Sequence, residues 1–392
     1  MLPPPFRPPV WDIFCNVVDN YGDIGVCWRL ARQLVAEQAL PVRLWVDDLN
    51  AFQRLCPEID PHAAGQRAAG VEIRTWPTAS DDTLPGTVVI EAFACQLPAA
   101  FVERMAACQP PPVWVNLDYL SAESWVAGCH TLPSPHPRLA LTKYFFFPGF
   151  NSATGGLLRE RDLEARRIAF TNTAEQQAAF WAALQLPAPA AGTLVISLFA
   201  YENPALASLL ATWAAGPRPI RCLAPETRTL ADLEAFAGRR LRAGGSFRRG
   251  QLEVVILPFV AQPDYDRLLW IADLNLVRGE DSFVRAQWAA RPMLWHIYPQ
   301  DEEAHRVKLE AFLDVYCDGL SAAAAGVLQA LFLAWNGLST EGPESAAITP
   351  ALWARWFELL PELRAHADRW AKSLSKQEDL CTSLVHFCRS KL

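Results

Sequence analysis

Trp11-Asp12-Ile13-Phe14-Cys15-Asn16-Val17-Val18-Asp19-Asn20-Tyr21-Gly22-Asp23-Ile24-Gly25-Val26-Cys27-Trp28-Arg29-Leu30 sets a short apolar run ahead of two carboxylates and two glycines, and then a helical pattern. Trp11 to Val18 has the length and composition of a strand, while Ile24, Cys27, Leu30, Ala31, Leu34 and Val35 recur at the spacing of one helix face. The intervening loop therefore sits at the carboxyl end of a first strand. Open α/β sheets bind ligands there, and Gly22 and Gly25 allow close approach of backbone. Asp19 and Asp23 read either as site carboxylates or as turn and cap residues, a role Asp often fills.

Outward from this segment, strand and helix alternate. Strands are expected at Val42 to Val46, Thr87 to Phe93, Val113 to Asn116 and Tyr144 to Phe150, with helices starting near Pro98 and Ser121. A second series opens at Leu194 to Phe199, followed by a helix over Pro204 to Trp213. Its further strands are Ile220 to Leu223, Leu252 to Leu257, Leu274 to Val277 and Met293 to Tyr298. Such alternation predicts parallel sheets covered on both faces. The expected fold is α/β, two Rossmann-like domains facing across a cleft as in GT-B glycosyltransferases. The boundaries are a first domain over 1–150, a connection over 151–185 and a second domain over 186–360.

Composition narrows the class of partner. The chain has 392 residues, enough for two cores, and a formal charge of −7, so no basic stripe follows a phosphate backbone and nucleic acid is not an expected partner. Ten cysteines without a CxxC pair read as free thiols of a reducing compartment. The proline-rich start Met1 to Pro9 does not read as a signal peptide, and Leu320 to Trp335, interrupted by Ser321 and Gln329, reads as a packed helix rather than a membrane span. A cytoplasmic enzyme without membrane contact is expected.

Phosphate chemistry removes two competing α/β readings. No G-x-G-x-x-G follows the first strand and no GxxxxGK[ST] occurs, which excludes a dinucleotide dehydrogenase turn and a P-loop. Gly279-Glu280-Asp281-Ser282 lies between a strand and a helix, where free amides and the helix dipole favour an anion such as a diphosphate. Ser282 adds a hydroxyl and Arg278 a counter-charge. Glu280 and Asp281 either face sugar and ribose hydroxyls or cap the helix. Upstream, Phe259 can stack on a pyrimidine, and Gln262 carries the donor and acceptor that match an imide edge. Asp264-Tyr265-Asp266 has the form of a metal-binding D-x-D, but it stands at an expected helix start, where carboxylates complement the dipole. No metal site is expected, because His296 and His305 have no accompanying ligand cluster.

The motifs Asp19-Asn20-Tyr21-Gly22-Asp23 and Arg278-Gly279-Glu280-Asp281-Ser282-Phe283, with Tyr144 to Phe150 and Thr154-Gly155-Gly156-Leu157, closely resemble those of the bacterial protein-arginine rhamnosyltransferases that modify elongation factor P. The resemblance spans nearly the whole chain. It implies transfer of L-rhamnose from TDP-β-L-rhamnose to an arginine of elongation factor P, the factor that rescues ribosomes stalled at polyproline. No cofactor is implied. It further implies that Phe259 and Gln262 hold the thymine, with Tyr265 beside them, and that Tyr201 and Tyr298 lie near diphosphate and ribose. Asp23 is then the general base, Asp19 its essential partner, and the helices of 361–392 pack back on the first domain. Two other classes remain open: a GT-B enzyme acting on a small-molecule or lipid acceptor, and a non-catalytic binding protein on the same frame.

Overall fold

The computed structural model describes residues 9–19, 21–76, 82–299, 304–338 and 347–392. Asn20 and residues 1–8 of the proline-rich start lie outside the described residues. The chain forms two compact units, Met1–Arg161 with Leu374–Leu392, and Asp162–Ser373.

The first unit holds eight strands, β1 (Trp11–Cys15), β2 (Val42–Val46), β3 (Gly65–Ala68), β4 (Val71–Thr75), β5 (Val88–Ala92), β6 (Val113–Leu117), β7 (Pro133–Pro135) and β8 (Thr142–Phe146). Their order is β3-β4-β2-β1-β5-β6-β8-β7. All pairings are parallel except those of the edge strands β3 and β7. Alternation along β1 explains why helices cover both faces. Phe14 enters a core with Trp45, Val89, Trp114 and the Phe101 and Met105 of helix Ala99–Ala107, whereas Cys15 meets Cys27 of helix Gly22–Gln38. The chain winds from β1 to one side through β2 and β4, and to the other through β5. The β1/β5 junction is thus the switch point at which such sheets bind ligands.

The second unit repeats the plan with β9 (Leu194–Leu198), β10 (Ile220–Pro225), β11 (Ser246–Arg249), β12 (Leu252–Leu257), β13 (Leu274–Arg278) and β14 (Met293–His296). Their order is β11-β12-β10-β9-β13-β14, parallel apart from β11, with a switch point between β9 and β13. The strands missed from sequence, β3, β4, β7 and β11, all belong to antiparallel edge hairpins. The segment Leu320 to Trp335, read as a packed helix, forms helix Ala322–Trp335, and no helix of the described residues is long and apolar enough to cross a membrane.

Both expected boundaries shift. Helices Leu163–Asn172 and Ala174–Ala183 fall within the expected connection, yet Phe170 packs on Trp270 at 5.8 Å between ring centroids and joins them to the second unit. Helix Leu360–Leu374, expected to return to the first domain, is tied to the second unit. Arg364 bonds Asp273, and the Trp370 indole donates to Gln287 Oε1 at 2.6 Å. Only Leu374–Leu392 returns, where helix Leu380–Arg389 lies on helix Gly22–Gln38 and Gln33 donates to Asp379 Oδ1 at 3.0 Å.

Candidate active site

At the first switch point the loop after β1 is organised around Asp23. Its carboxylate is 1% exposed, and Oδ2 accepts the backbone N–H groups of Val18 and Asp19, both at 2.9 Å. The turn reading of this residue is therefore correct as far as Oδ2 goes. Oδ1 faces the hydroxyl of Tyr119 at 3.4 Å, a long contact that leaves it able to accept a further proton donor. Burial raises the Asp23 pKa above its ordinary value, with the two backbone amides and Tyr119 opposing and Asp47 adding to the rise. Asp23 is thus a buried carboxylate with Oδ2 held by two amides and Oδ1 in one long contact. Asp19 arches over Gly22, and a Cβ on Gly22 would lie 2.8 Å from Asp19 Oδ2, so glycine is what allows this approach.

Two other first-unit carboxylates near strand ends, Glu91 and Asp118, have partners of their own. Glu91 is 2% exposed and binds Lys143 at 3.3 Å, the Trp114 indole at 3.1 Å and the Gln96 amide at 3.2 Å. Asp118 accepts from the Asn116 amide at 3.0 Å and from the Tyr119 N–H at 2.8 Å. Sequence reasoning missed Tyr119. It lies 96 residues from Asp23, and its only signal was a position just past a strand.

At the second switch point, Phe199 and Tyr201 follow β9, and Arg278 ends β13. The Arg278 guanidinium lies over both rings, 4.7 Å from Phe199 and 4.5 Å from Tyr201. Tyr298, 47% exposed, meets Tyr201 edge-on at 5.6 Å, and Tyr265 meets Phe199 edge-on at 5.7 Å. Burial pushes the Tyr265 phenol up, so it stays protonated. His296, beneath Tyr201, is pushed down to about 3 by burial and by Arg278 and His305, and is neutral at physiological pH. Gly279 turns the chain at φ 58°, in the left-handed region, and helix Asp281–Ala289 starts at once.

Several of the predicted donor residues, Gln262, Arg278, Glu280, Asp281 and Ser282, group at that helix start. Glu280 occupies the N-cap position without a side-chain capping bond, so the capping alternative is not realised there. Asp281 accepts the Gln262 amide Nε2 at 3.2 Å, which joins the expected base-reading residue to the expected diphosphate turn. Gln262 is itself buried, and Phe259 beside it is half-buried. The Ser282 hydroxyl, expected to face phosphate, donates to the Arg278 carbonyl and accepts the Arg278 N–H at 3.1 Å. It fixes the turn.

The D-x-D is also corrected in part. Helix Gln262–Ile271 begins a full turn earlier than expected because Pro263 suits its first turn. Asp264 is then a first-turn residue bonded to Arg267 at 2.9 Å, whereas Asp266 is interior and pairs with Arg285 through two bonds of 2.9 and 2.7 Å. Both of these partners are at most 2% exposed. Among the described residues no group of three or more His, Cys, Asp or Glu could hold a metal ion.

Two Rossmann-like units, each with polar residues gathered at its own switch point, define a glycosyltransferase of the GT-B class. The family model for the elongation-factor P (EF-P) rhamnosyltransferase EarP matches residues 11–389. A protein-arginine rhamnosyltransferase of Pseudomonas putida is 55% identical over 383 residues, 97% of this chain and 99% of its own length. Its counterpart in Pseudomonas aeruginosa is 50% identical over 378 residues, 96% and 98% of the two chains. A solved structure described as the structural basis for EarP-mediated arginine glycosylation of translation elongation factor EF-P is 41% identical, with TM-score 0.69 over 98% and 99% of the chains. The chain belongs to the EarP family of EF-P rhamnosyltransferases.

Proposed function

We propose that this protein transfers L-rhamnose from TDP-β-L-rhamnose to an arginine side chain of elongation factor P in the cytoplasm, inverting the anomeric centre. The modified factor then serves ribosomes stalled at polyproline. The observation that carries this reading is Asp23, with Oδ2 fixed by two backbone amides and Oδ1 engaged by the Tyr119 hydroxyl at a long 3.4 Å, which leaves lone-pair capacity for a donor.

An arginine guanidinium cannot be deprotonated first. Its pKa exceeds that of an ordinary carboxylate by roughly nine units, or about 12 kcal/mol. Carbon–nitrogen bond formation must lead: a guanidinium nitrogen attacks the anomeric carbon, the bond to the diphosphate oxygen breaks, and the alkylated nitrogen becomes acidic enough to give its proton to Asp23. The raised pKa of Asp23 makes it a better acceptor at that moment. Before it, the carboxylate aims the fork of N–H groups, with Asp19 as its partner. One displacement converts the β-linked donor into an α-linked product.

In the second unit Phe259 and Gln262 take thymine, with Tyr265 supporting the pocket behind them. The amides at the start of helix Asp281–Ala289, Arg278, Tyr201 and Tyr298 take the diphosphate and its ribose, and Glu280 and Asp281 orient hydroxyls and Gln262. The leaving diphosphate is expected to be held by these groups without a metal; the pairing of Asp264 with Arg267 and of Asp266 with Arg285 supports this. Incubation of the purified protein with TDP-β-L-rhamnose and elongation factor P, followed by NMR of the glycosylated factor, tests the reading. An α-anomeric signal on arginine is expected, and a β signal or no transfer contradicts it.

A further inference from the structure

We infer that Tyr119, backed by Phe93, is a platform that lays the acceptor guanidinium flat and turns its edge to Asp23. The inference deepens the proposed function and rests on it. The loops carrying the two rings follow β6 and β5, and β5 pairs with β1, so both rings come to the carboxyl end where Asp23 sits. The rings stack at 4.5 Å between centroids and 21° between planes, and the hydroxyl of Tyr119 reaches Asp23 Oδ1. With one ring face taken by Phe93, Tyr119 is still 37% exposed.

This arrangement is held against a conformational cost. Phe93, Ala94 and Gln96 have φ of 57°, 53° and 50°, a left-handed region that side-chain-bearing residues avoid. Phe93 N–H donates to Leu117 C=O at 2.7 Å, Ala94 N–H to Asn116 Oδ1 at 3.1 Å and Gln96 N–H to Glu91 Oε1 at 3.2 Å. The buried Asn116 also donates to Asp118 Oδ2 at 3.0 Å, so one amide ties together the loops that bear the two rings. Backbone strain that the surroundings fix so fully belongs to sites where position matters.

Guanidinium groups stack on aromatic faces, and their N–H donors lie in the plane of the group. A guanidinium flat on Tyr119 directs an in-plane N–H at Asp23 Oδ1, which Tyr119 contacts only weakly. The nucleophilic electron pair of a guanidinium nitrogen is perpendicular to that plane. With Tyr119 against one face, only the opposite face can attack the sugar. Tyr119 thus selects a planar cation over a lysine ammonium and fixes which lobe of nitrogen reacts, acting as a positioning residue.

The test compares Tyr119→Leu, which keeps apolar bulk without a plane, with Tyr119→Phe, which keeps the plane. Steady-state transfer to elongation factor P should show KM for the acceptor raised roughly tenfold or more in Tyr119→Leu, the size of a desolvated cation–π contact. Tyr119→Phe should restore it to within about threefold, while TDP affinity by calorimetry is unchanged in both. An unchanged acceptor KM in Tyr119→Leu, or failure of Tyr119→Phe to rescue it, overturns the inference alone. Absence of transfer by the unsubstituted protein overturns the proposed function with it.

Discussion

Asp23→Asn separates the catalytic role of this carboxylate from its structural one. The amide oxygen of asparagine can accept the Val18 and Asp19 N–H groups as Asp23 Oδ2 does, and its NH₂ can donate to the Tyr119 hydroxyl, so the loop keeps its form. What is lost is basicity at Oδ1. Removing a general base costs at least about 10²-fold, or about 2.7 kcal/mol of transition-state stabilisation. Stability should move the other way. Burial raises the folded-state pKa of Asp23, so the native state holds a proton that the unfolded chain has already released, and stability falls as pH rises from the ordinary carboxylate value through the raised one. Once ionised, the buried Asp23 is a net cost, which Asn removes. The variant should melt at a higher temperature than the parent at pH 7, with the difference shrinking in acid, and parent activity should fall as pH drops through the raised pKa. Single-turnover transfer at saturating TDP-β-L-rhamnose, scanning calorimetry and a pH–rate profile measure the three effects. Near-normal turnover with an intact fold would refute the base assignment. A lower melting temperature at pH 7 would refute the argument from burial.

Phe259→Ala should weaken TDP binding by about 1–3 kcal/mol in calorimetry, the loss of one stacked base, and Gln262→Ala should weaken it while narrowing the preference over nucleotides with another base edge. Asp266→Asn should destabilise the second unit by about 3–5 kcal/mol in urea denaturation, because it removes the negative charge from the buried Arg285–Asp266 pair. Transfer should survive EDTA; activity lost on chelation and restored by Mn²⁺ or Mg²⁺ would overturn the metal-free account of the leaving group. Asp19→Asn should impair transfer without changing TDP affinity, and its loss should not add to that of Asp23→Asn, since both act on one event.

The sequence exposes what depends on local pattern. Trp11 to Cys15 and the helix after Gly22 are marked by apolar spacing, so the position of Asp23 follows from the chain alone. The same holds for β13 and the helix start at Asp281. What stayed hidden depends on partners far along the chain. Tyr119 becomes a neighbour of Asp23 only when β6 and β1 are set on either side of β5. Asp266 looks like a helix-start acid until Arg285 is brought to it by the packing of two helices. The hydroxyl of Ser282 turns to its own backbone because Gly279 folds Arg278 within reach, which residue type does not reveal. Likewise, the apolar face of helix Leu360–Leu374 announces burial without saying which unit receives it; Asp273 and Gln287 decide that.

Tandem mass spectrometry of elongation factor P produced with and without this protein, in cells that make TDP-rhamnose, tests the central claim most directly. The account predicts one added deoxyhexose, located on an arginine, present with the unsubstituted protein and absent with Asp23→Asn. An unmodified factor, or a sugar on any residue other than arginine, would contradict it.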